Sequence, residues 1–553
     1  MTAPAGPVSV GGNSFTLNTG FDLSAATQDL TVTLGNTNGA GLTLGANQTW
    51  NVATGRTLTV NAFISGTGLG ITKTGNGTLS LPIMSNATGG YGNGATVTAM
   101  TILAGTVSVT DANNLGFANN IDTPKSLIID GGTFQITASG NAMNANRGVA
   151  LGANGGTIDT PTGVSLNINS AISDAVSGAG GLTKTGAGTL MLGVNTARVN
   201  TFTGPITVQA GVLGTNGRAS AFGAATAGTT VMSGAAVQVA GAIDIAEPFT
   251  LNGTGVANDG ALRKASGANN TTVNGAIILG STSRINADVT TNALILNGGL
   301  TASGAGQNLT VGGAGNTTVG TTGINTGSGT LTKDGTGTLT LNAANAYTGT
   351  TTVSAGTLTI GPFGTLASKT IIVGDTVGST AILDTTAVVG GLPIGPGVTL
   401  GGHGTVAGPV SVNGGTLSPG ATPGILNMTG AVTMNSSSTL FVEINGPTTP
   451  GTDYDQVNLT GGGSIDLGGA TLTGTFGYTP QSTDSITIIT GGPVLNQFAG
   501  GTTFNFGGYT GTVSYPGNAV VLSGFTPVPE PGGVLLACGA VAGLAQWRRR
   551  RSR

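Results

Sequence analysis

The sequence predicts an all-β protein: a right-handed parallel β-helix with a β-rich C-terminal cap and one short C-terminal transmembrane helix. Three observations carry this prediction. First, of 553 residues 102 are Gly, 7% are charged and 4% aromatic, whereas 38% are hydrophobic. Gly at that frequency without a three-residue period excludes collagen, and a persistent apolar alternation excludes plain disorder. Second, residues 70–81, 181–192 and 329–341 are near-copies of one stretch, Gly-Leu-Thr-Lys-Thr-Gly-Ala-Gly-Thr-Leu in the middle copy. Repetition of this kind decides the fold before any local motif does. Third, no helical period of 3.6 runs through the body, where each Gly would cost a helix roughly 1 kcal/mol against Ala.

The elements follow in order. Phe15-Thr16-Leu17, Leu30-Thr31-Val32-Thr33-Leu34 and Leu58-Thr59-Val60 alternate apolar residues with Thr between Gly, Asn and Asp. That is the mark of half-buried strands, and Thr suits the wet face because its β-branch fits the pleat. Each repeat copy reads as a short strand, a Gly turn and a second short strand. An aromatic-Thr-Gly turn then leads into another strand pair: Phe202-Thr203-Gly204 before Ile206-Thr207-Val208-Gln209-Ala210-Gly211-Val212-Leu213, and Tyr347-Thr348-Gly349 before residues 352–360. Aromatics are too sparse to fill a wide sandwich core, whereas a solenoid stacks small aliphatic residues in rows. At about 20 to 25 residues per coil the body makes roughly twenty coils. We divide the chain into residues 1–400, the solenoid; 401–524, the cap; 525–531, a linker; 532–547, the membrane helix; and 548–553, an Arg-rich cytoplasmic tail.

The formal net charge is −3, from 17 Lys and Arg against 20 Asp and Glu, and several of the Arg lie at the extreme C-terminus. No concentrated basic footprint precedes Arg548, so nucleic-acid binding is excluded. The single Cys, Cys538, can form no intramolecular disulfide. Stability must therefore come from backbone ladders and stacked apolar side chains.

The repeat, followed by Tyr-Thr-Gly and Ala-Gly-Thr-Leu, resembles the autotransporter-associated β-strand repeat of passenger-type β-helices on Gram-negative surfaces. The resemblance spans roughly residues 45–360, and the stretch Asn146-Arg147-Gly148-Val149-Ala150-Leu151-Gly152 is similar to the spacer between such repeats. It implies an exported β-helix. A true autotransporter passenger would also require a membrane β-barrel, for which no room follows the repeats. From about Leu400 the texture gains Pro and aromatics, as in Leu417-Ser418-Pro419-Gly420-Ala421-Thr422-Pro423-Gly424, and resembles the terminal coils of passenger domains.

Val528-Pro529-Glu530-Pro531 precedes the apolar residues 532–547, which end in Trp547 before Arg548, Arg549, Arg550 and Arg551. This tripartite tail resembles the PEP-CTERM sorting domain. The resemblance implies that Pro529, Glu530 and Pro531 form a sorting motif read by an exosortase-type membrane transpeptidase. The physics agrees with a membrane anchor: the basic residues hold their end in the cytoplasm and the body outside. The competing reading is a simple anchor that is never cleaved. Leu535-Leu536-Ala537-Cys538 imitates a lipobox, but in the wrong position and polarity. Residues 1–12 contain no secretory signal, so export implies a misplaced start codon or a truncated sequence.

Candidate chemistry is thin. His403 is the only His and, flanked by Gly, is expected in a turn or at the surface. Asp453, Tyr454 and Asp455 could hold Ca²⁺ through carboxylate oxygens, but without further ligands a strand-edge turn is the better expectation. Lys73, Lys184 and Lys333 recur at one repeat position. They are expected either as solvated residues that discourage edge pairing, or as a ladder facing anionic polysaccharide. Asp159 with Asp174, and Asp453 with Asp455, are the nearest carboxylate pairs for acid–base work, but no sugar-binding residues accompany them.

These readings predict a non-enzymatic protein with no cofactor, no metal and no catalytic residues. Its expected role is that of an exported cell-surface or extracellular-matrix adhesin-like β-helix, of a biofilm-forming Gram-negative bacterium, associated with exopolysaccharide or surface matrix. The alternative is a polysaccharide-acting β-helix lyase or hydrolase. Carboxylates clustered beside a groove would favour the enzyme, and featureless Thr and Asn ladders the structural role.

Overall fold

A computed structural model describes residues 6–529 apart from 36–40, 85–89, 95, 118–121, 179, 194, 196, 216, 305 and 421. The expected membrane helix 532–547 and its Arg flank lie outside the described residues. Among the described residues no helix is long and apolar enough to cross a membrane. The fold is an all-β parallel solenoid of about 17 turns rather than twenty. Coils are longer than expected where loops intervene: Leu30 pairs with Leu58 and Thr78 with Thr106. Helical structure among the described residues is limited to 3₁₀ turns such as Ala112–Leu115 and Ala219–Phe222. The chain forms two compact units, residues 1–349 with 365–367, and residues 350–364 with 368 onward.

In the first unit the two strands of a repeat copy do not pair with each other. Leu182–Thr185 pairs in parallel with Gly156–Asp159 on one side and Ile206–Val208 on the other. Thr189–Leu192 pairs with Ser165–Ile168 and with Gly211–Thr215. The Gly turn is thus a corner of the coil. Gly186 there has φ +73°, and a Cβ would lie 2.3 Å from the Thr160 carbonyl oxygen of the preceding coil. Only Gly fits both conditions.

Alternation sends every second residue inward, and in-register pairing stacks these into rows. One row runs Leu58, Leu79, Val107, Phe134, Ile158, all buried. Each such aliphatic side chain contributes roughly 1.5–3 kcal/mol on burial. The outward residues form polar ladders, one of which runs Thr57, Thr78, Thr106, Thr133, Thr157, Thr183, Thr207, Thr230, Thr250.

The second unit coils through three sheets. One contains Thr370–Val373, Thr399–Gly402, Thr416–Pro419 and Thr439–Ile444. The next contains Ile382–Asp384, Thr405–Ala407, Ile425–Met428 and Gln456–Leu459. The third contains Leu392–Ile394, Val410–Val412 and Ala431–Thr433. At Ser485–Thr490 the parallel pattern stops, because its next partner, Val520–Pro527, runs antiparallel and leads into Tyr509–Ser514 and Thr503–Phe506. Aromatic rings gather on these last strands: Phe476 stacks on Phe506 at 5.5 Å and meets Phe525 edge-on at 5.8 Å. An antiparallel flap of this kind covers strand edges that would otherwise template further pairing.

Candidate functional site

The repeat lysines are not at the surface. Lys73, Lys184 and Lys333 are 0%, 0% and 2% exposed, which overturns both expectations for them, the solvated residue and the anion-binding ladder. Each occupies an inward row position. Lys184 sits in register between Ile158 and Val208, and Lys73 between Trp50 and Ile102. The stem fills the row as an aliphatic residue would, and the ammonium turns into the corner behind it.

There the ammonium meets carbonyls. Lys184 Nζ donates to Thr185 O at 2.6 Å, Gly186 O at 2.8 Å and Ala210 O at 3.2 Å. Lys73 Nζ repeats this with Thr74 O at 2.7 Å, Gly75 O at 2.6 Å and Ala104 O at 3.2 Å. Lys333 Nζ donates to Asp334 O and Gly335 O at 2.7 and 2.9 Å. The third acceptor of Lys73 and Lys184 is the Ala of an Ala-Gly turn in the following coil. One cation therefore closes its own corner and ties it to the next. Burial pushes all three ammonium groups down to about 8; Asp159 opposes the shift at Lys184, and Asp334 at Lys333.

Two residues that the sequence did not single out for chemistry act alike. Lys264, 0% exposed, points Nζ at Ser266 O and Gly267 O, both at 3.4 Å. Arg147 is buried and donates to Leu115 O at 2.6 Å and Gly116 O at 2.7 Å. The signal for the repeat lysines was present in Leu182-Thr183-Lys184, since residues two apart on a strand share a face.

In the second unit a carboxylate holds the corner. Asp455 is 0% exposed and accepts from Gly424 N and Glu443 N, both at 2.8 Å. Burial raises its carboxyl to about 7 against the lowering effect of those bonds. Asp453 is half-buried in a turn and accepts from Thr449 N at 2.9 Å and from the Thr448 hydroxyl. The pair expected at one strand-edge turn is thus split, Asp453 in a turn and Asp455 in the core. Tyr454 is buried between them. Nor do Asp159 and Asp174 converge. Asp159 is engaged by Gln135 at 2.7 Å and Thr185 at 2.8 Å on one sheet, and Asp174 by Thr203 at 2.7 Å on another. Among the described residues no group of three or more His, Cys, Asp or Glu side chains could hold a metal ion.

His403 lies in a bend, as expected, but is only 6% exposed, which corrects the surface reading. Val373 and Gly424 pack around the bend it occupies. Its imidazole pKa is lowered by burial, with Asp375 opposing.

The comparisons with known proteins fall on the same corners. A model of the family described as passenger-associated-transport-repeat matches residues 182–214 and 331–360. The first match begins two residues before Lys184 and extends past the Ala210-Gly211 turn that receives it. The chain is also 31% identical over 296 residues to the adhesin BmaC autotransporter of Brucella suis biovar 1 (strain 1330). That alignment covers 46% of this chain and 8% of the relative. The chain therefore carries passenger-associated repeats and spans a small part of the relative's length.

Of the two outer faces, the first unit's is a Thr ladder. A hollow of about 250 Å³ there is lined by Thr157, Thr183 and Thr207 together with Asn154 and Gly corners, with no carboxylate. The hydroxyls and amide of this hollow can hydrogen-bond a partner.

Proposed function

We propose that the chain is an exported cell-surface or extracellular-matrix protein of a Gram-negative bacterium, a right-handed β-helix with a structural, adhesin-like role. The observation that carries this reading is the repeat coil, which ties itself to its neighbour with a buried Lys and leaves a Thr ladder outward. The likeness to an autotransporter adhesin supports the same role, and right-handed crossovers are the rule for parallel strands. The polysaccharide lyase or hydrolase reading loses ground because neither candidate carboxylate pair assembles. With its lysines buried, the repeat offers no cationic stripe to an acidic exopolysaccharide, so a matrix partner would be neutral.

The route of sorting is also proposed. Pro529-Glu530-Pro531 would be cut by an exosortase-type membrane transpeptidase, with residues 532–547, about 24 Å as a helix, held in the inner membrane by Trp547 and Arg548 to Arg551. Fractionation and intact mass of the native-host protein test it. A wild-type product shortened near Pro529 and found outside the cell, with Glu530→Ala retained at the inner membrane, is the expected result. An unprocessed wild-type chain ending in Arg553 would reduce the tail to a plain anchor.

A further inference from the structure

We infer that the second unit carries a binding site for a single uncharged sugar unit, in a cleft beside His403. The cleft holds about 330 Å³, toward the small end of the roughly 300–1,000 Å³ of small-molecule sites. Its floor is the outward face of a strand ladder, where Asn427 and Asn458 pair in register. Asn458 Nδ2 donates to Asn427 Oδ1 at 2.9 Å, and Asn427 Nδ2 to Gly404 O at 3.3 Å. Among the described residues Asn458 Oδ1 accepts nothing, which leaves one amide oxygen of this chain for a ligand hydroxyl.

Two loops wall the cleft. Ser379 and the 68% exposed Val377 come from one, Pro450 and Thr452 from the other. The second loop is fixed in place. Asp453 accepts from Thr448 N and Thr449 N at 3.2 and 2.9 Å, and Asn445 N donates to Asp453 O at 2.6 Å. Buried Asp455 anchors the chain beneath through Gly424 N. A preformed wall spares a ligand the entropy of ordering it.

His403 closes one end. The residue is 6% exposed and lines the cleft, and its imidazole makes no hydrogen bond among the described residues. Nδ1 in particular is buried without a partner, in a position where a Cβ on Gly424 would lie 2.4 Å from it. Nδ1 lies against Gly424 and takes no part in the cleft, so what the ring can offer a ligand hydroxyl is its other nitrogen, Nε2.

The chemistry of the lining selects the ligand class. No Lys, Arg, Asp or Glu lines the cleft, and burial favours the neutral imidazole. Phosphate, sulfate and uronic acids therefore find no counter-charge. Amides and hydroxyls on the floor and rim suit a polyol, while Val377, Ile425 and Pro450 offer apolar contact to its C–H faces. This deepens the adhesin-like reading by naming a ligand class, and it rests on that reading only for its biological use. Binding is read on purified protein and sorting on fractionated cells, so the two can fail separately.

Because His403 is the only His, a full-length untagged chain gives one imidazole Cε1–H resonance. The probes are the methyl glycosides of glucose, galactose, mannose and N-acetylglucosamine, titrated individually, with methyl glucuronide as the charged comparison. The expected result is a saturable shift with at least one neutral glycoside, at a Kd on the order of 1 mM, about −4 kcal/mol. Methyl glucuronide should bind at least tenfold more weakly. Val377→Trp, on an exposed loop, and Asn458→Leu, on an outward strand position, should each abolish the shift while leaving the far-UV spectrum unchanged. No shift with any neutral glycoside, equal binding of the glucuronide, or a shift that survives Val377→Trp would each overturn the proposal.

Discussion

The two units face one problem, how to turn a strand through a tight corner without orphaning backbone groups, and answer it with opposite charges. In the first unit the corner presents carbonyls, and Lys73, Lys184 and Lys333 insert an ammonium. In the second, around residues 424 and 443, the corner presents N–H groups, and Asp455 inserts a carboxylate. Both charges are buried and both are saturated by the backbone instead of by a counter-ion. The contrast teaches that the polarity of the exposed turn groups decides the sign of the buried side chain. It also shows why the repeated device is cationic. The Gly corner recurs with one geometry, Gly75, Gly186 and Gly335 having φ of +69°, +73° and +69°, so the same carbonyls face inward each time.

The most direct way to break this comparison is Lys184→Ala. It removes the stem from the row between Ile158 and Val208 and orphans three carbonyls. An emptied core position typically costs about 2–5 kcal/mol, and each unsatisfied acceptor about 1–3 kcal/mol where water cannot reach it. We expect residues 182–192 and 206–215 to lose hydrogen-exchange protection while distant coils keep theirs, because solenoid stability is nearly nearest-neighbour. Lys184→Met restores the stem alone and should recover only part of the protection. If Met matched Lys, the ammonium would have no part in closing the corner.

Asp455 gives the matching test in the second unit, with a smaller effect because two N–H groups are involved rather than three carbonyls. Asp455→Ala should lower stability by about 2–4 kcal/mol, from two orphaned donors at about 1–3 kcal/mol each with partial relaxation. Asp455→Asn, which keeps one acceptor oxygen, should lose about half of that, measured as the denaturant midpoint of the second unit's transition. Equal losses for the two variants would mean that packing, and not hydrogen bonding, governs the corner.

A pH titration sharpens the comparison further. The lysines fall from 10.5 to about 8 on folding, so between those values the unfolded chain binds more protons. Stability of the first unit should then rise with pH from about 8 to 10.5. Asp455 rises from 3.8 to about 7, so the folded chain binds more protons there, and the second unit should lose stability as pH climbs through that window. Glu247 in the first unit, raised by burial to about 7, adds an acid-side loss there too, so the alkaline gain is the unit-specific signature. Region-resolved hydrogen exchange at pH 6, 8 and 10 would read both, and Lys184→Met should shrink the alkaline gain. A flat alkaline limb in the wild type would contradict buried, proton-releasing lysines.

Much of this architecture was legible because it depends on period and repetition. Leu-Thr-Lys-Thr-Gly with a downstream Ala-Gly gave strands, corners and coil spacing directly. The lysines were misread because charge was allowed to outweigh alternation, although Lys184 shares a face with Leu182 and that parity was visible. His403 was legible as a turn residue from its Gly neighbours, but its burial was not, since Val373 and Gly424 come from other coils. Asp455 and Asp453 were inseparable by sequence because a turn ending at Asp453, not a periodic strand in which residues two apart share a face, sends them to different environments. The cleft beside His403 could not be foreseen at all, being assembled from loops some seventy residues apart, at Val377 and Pro450.

The smallest expected effect lies on the outward ladder. Thr183 and Thr207 pair in register and line the hollow on the first unit, facing solvent with no buried partner to lose. Thr207→Ser removes one methyl and the β-branch, a change worth a few tenths of a kcal/mol on a strand and within about 0.5 kcal/mol for surface sites generally. The denaturant midpoint should therefore scarcely move, while Lys184→Ala, one rung away but inward, collapses the local coil. That contrast follows if inner and outer faces divide the labour, the inner one carrying stability and the outer one free to vary with whatever the protein meets. A Thr207→Ser loss comparable to Lys184→Met would show that the Thr ladder is itself structural, and the outer face would then be constrained by folding rather than available for recognition.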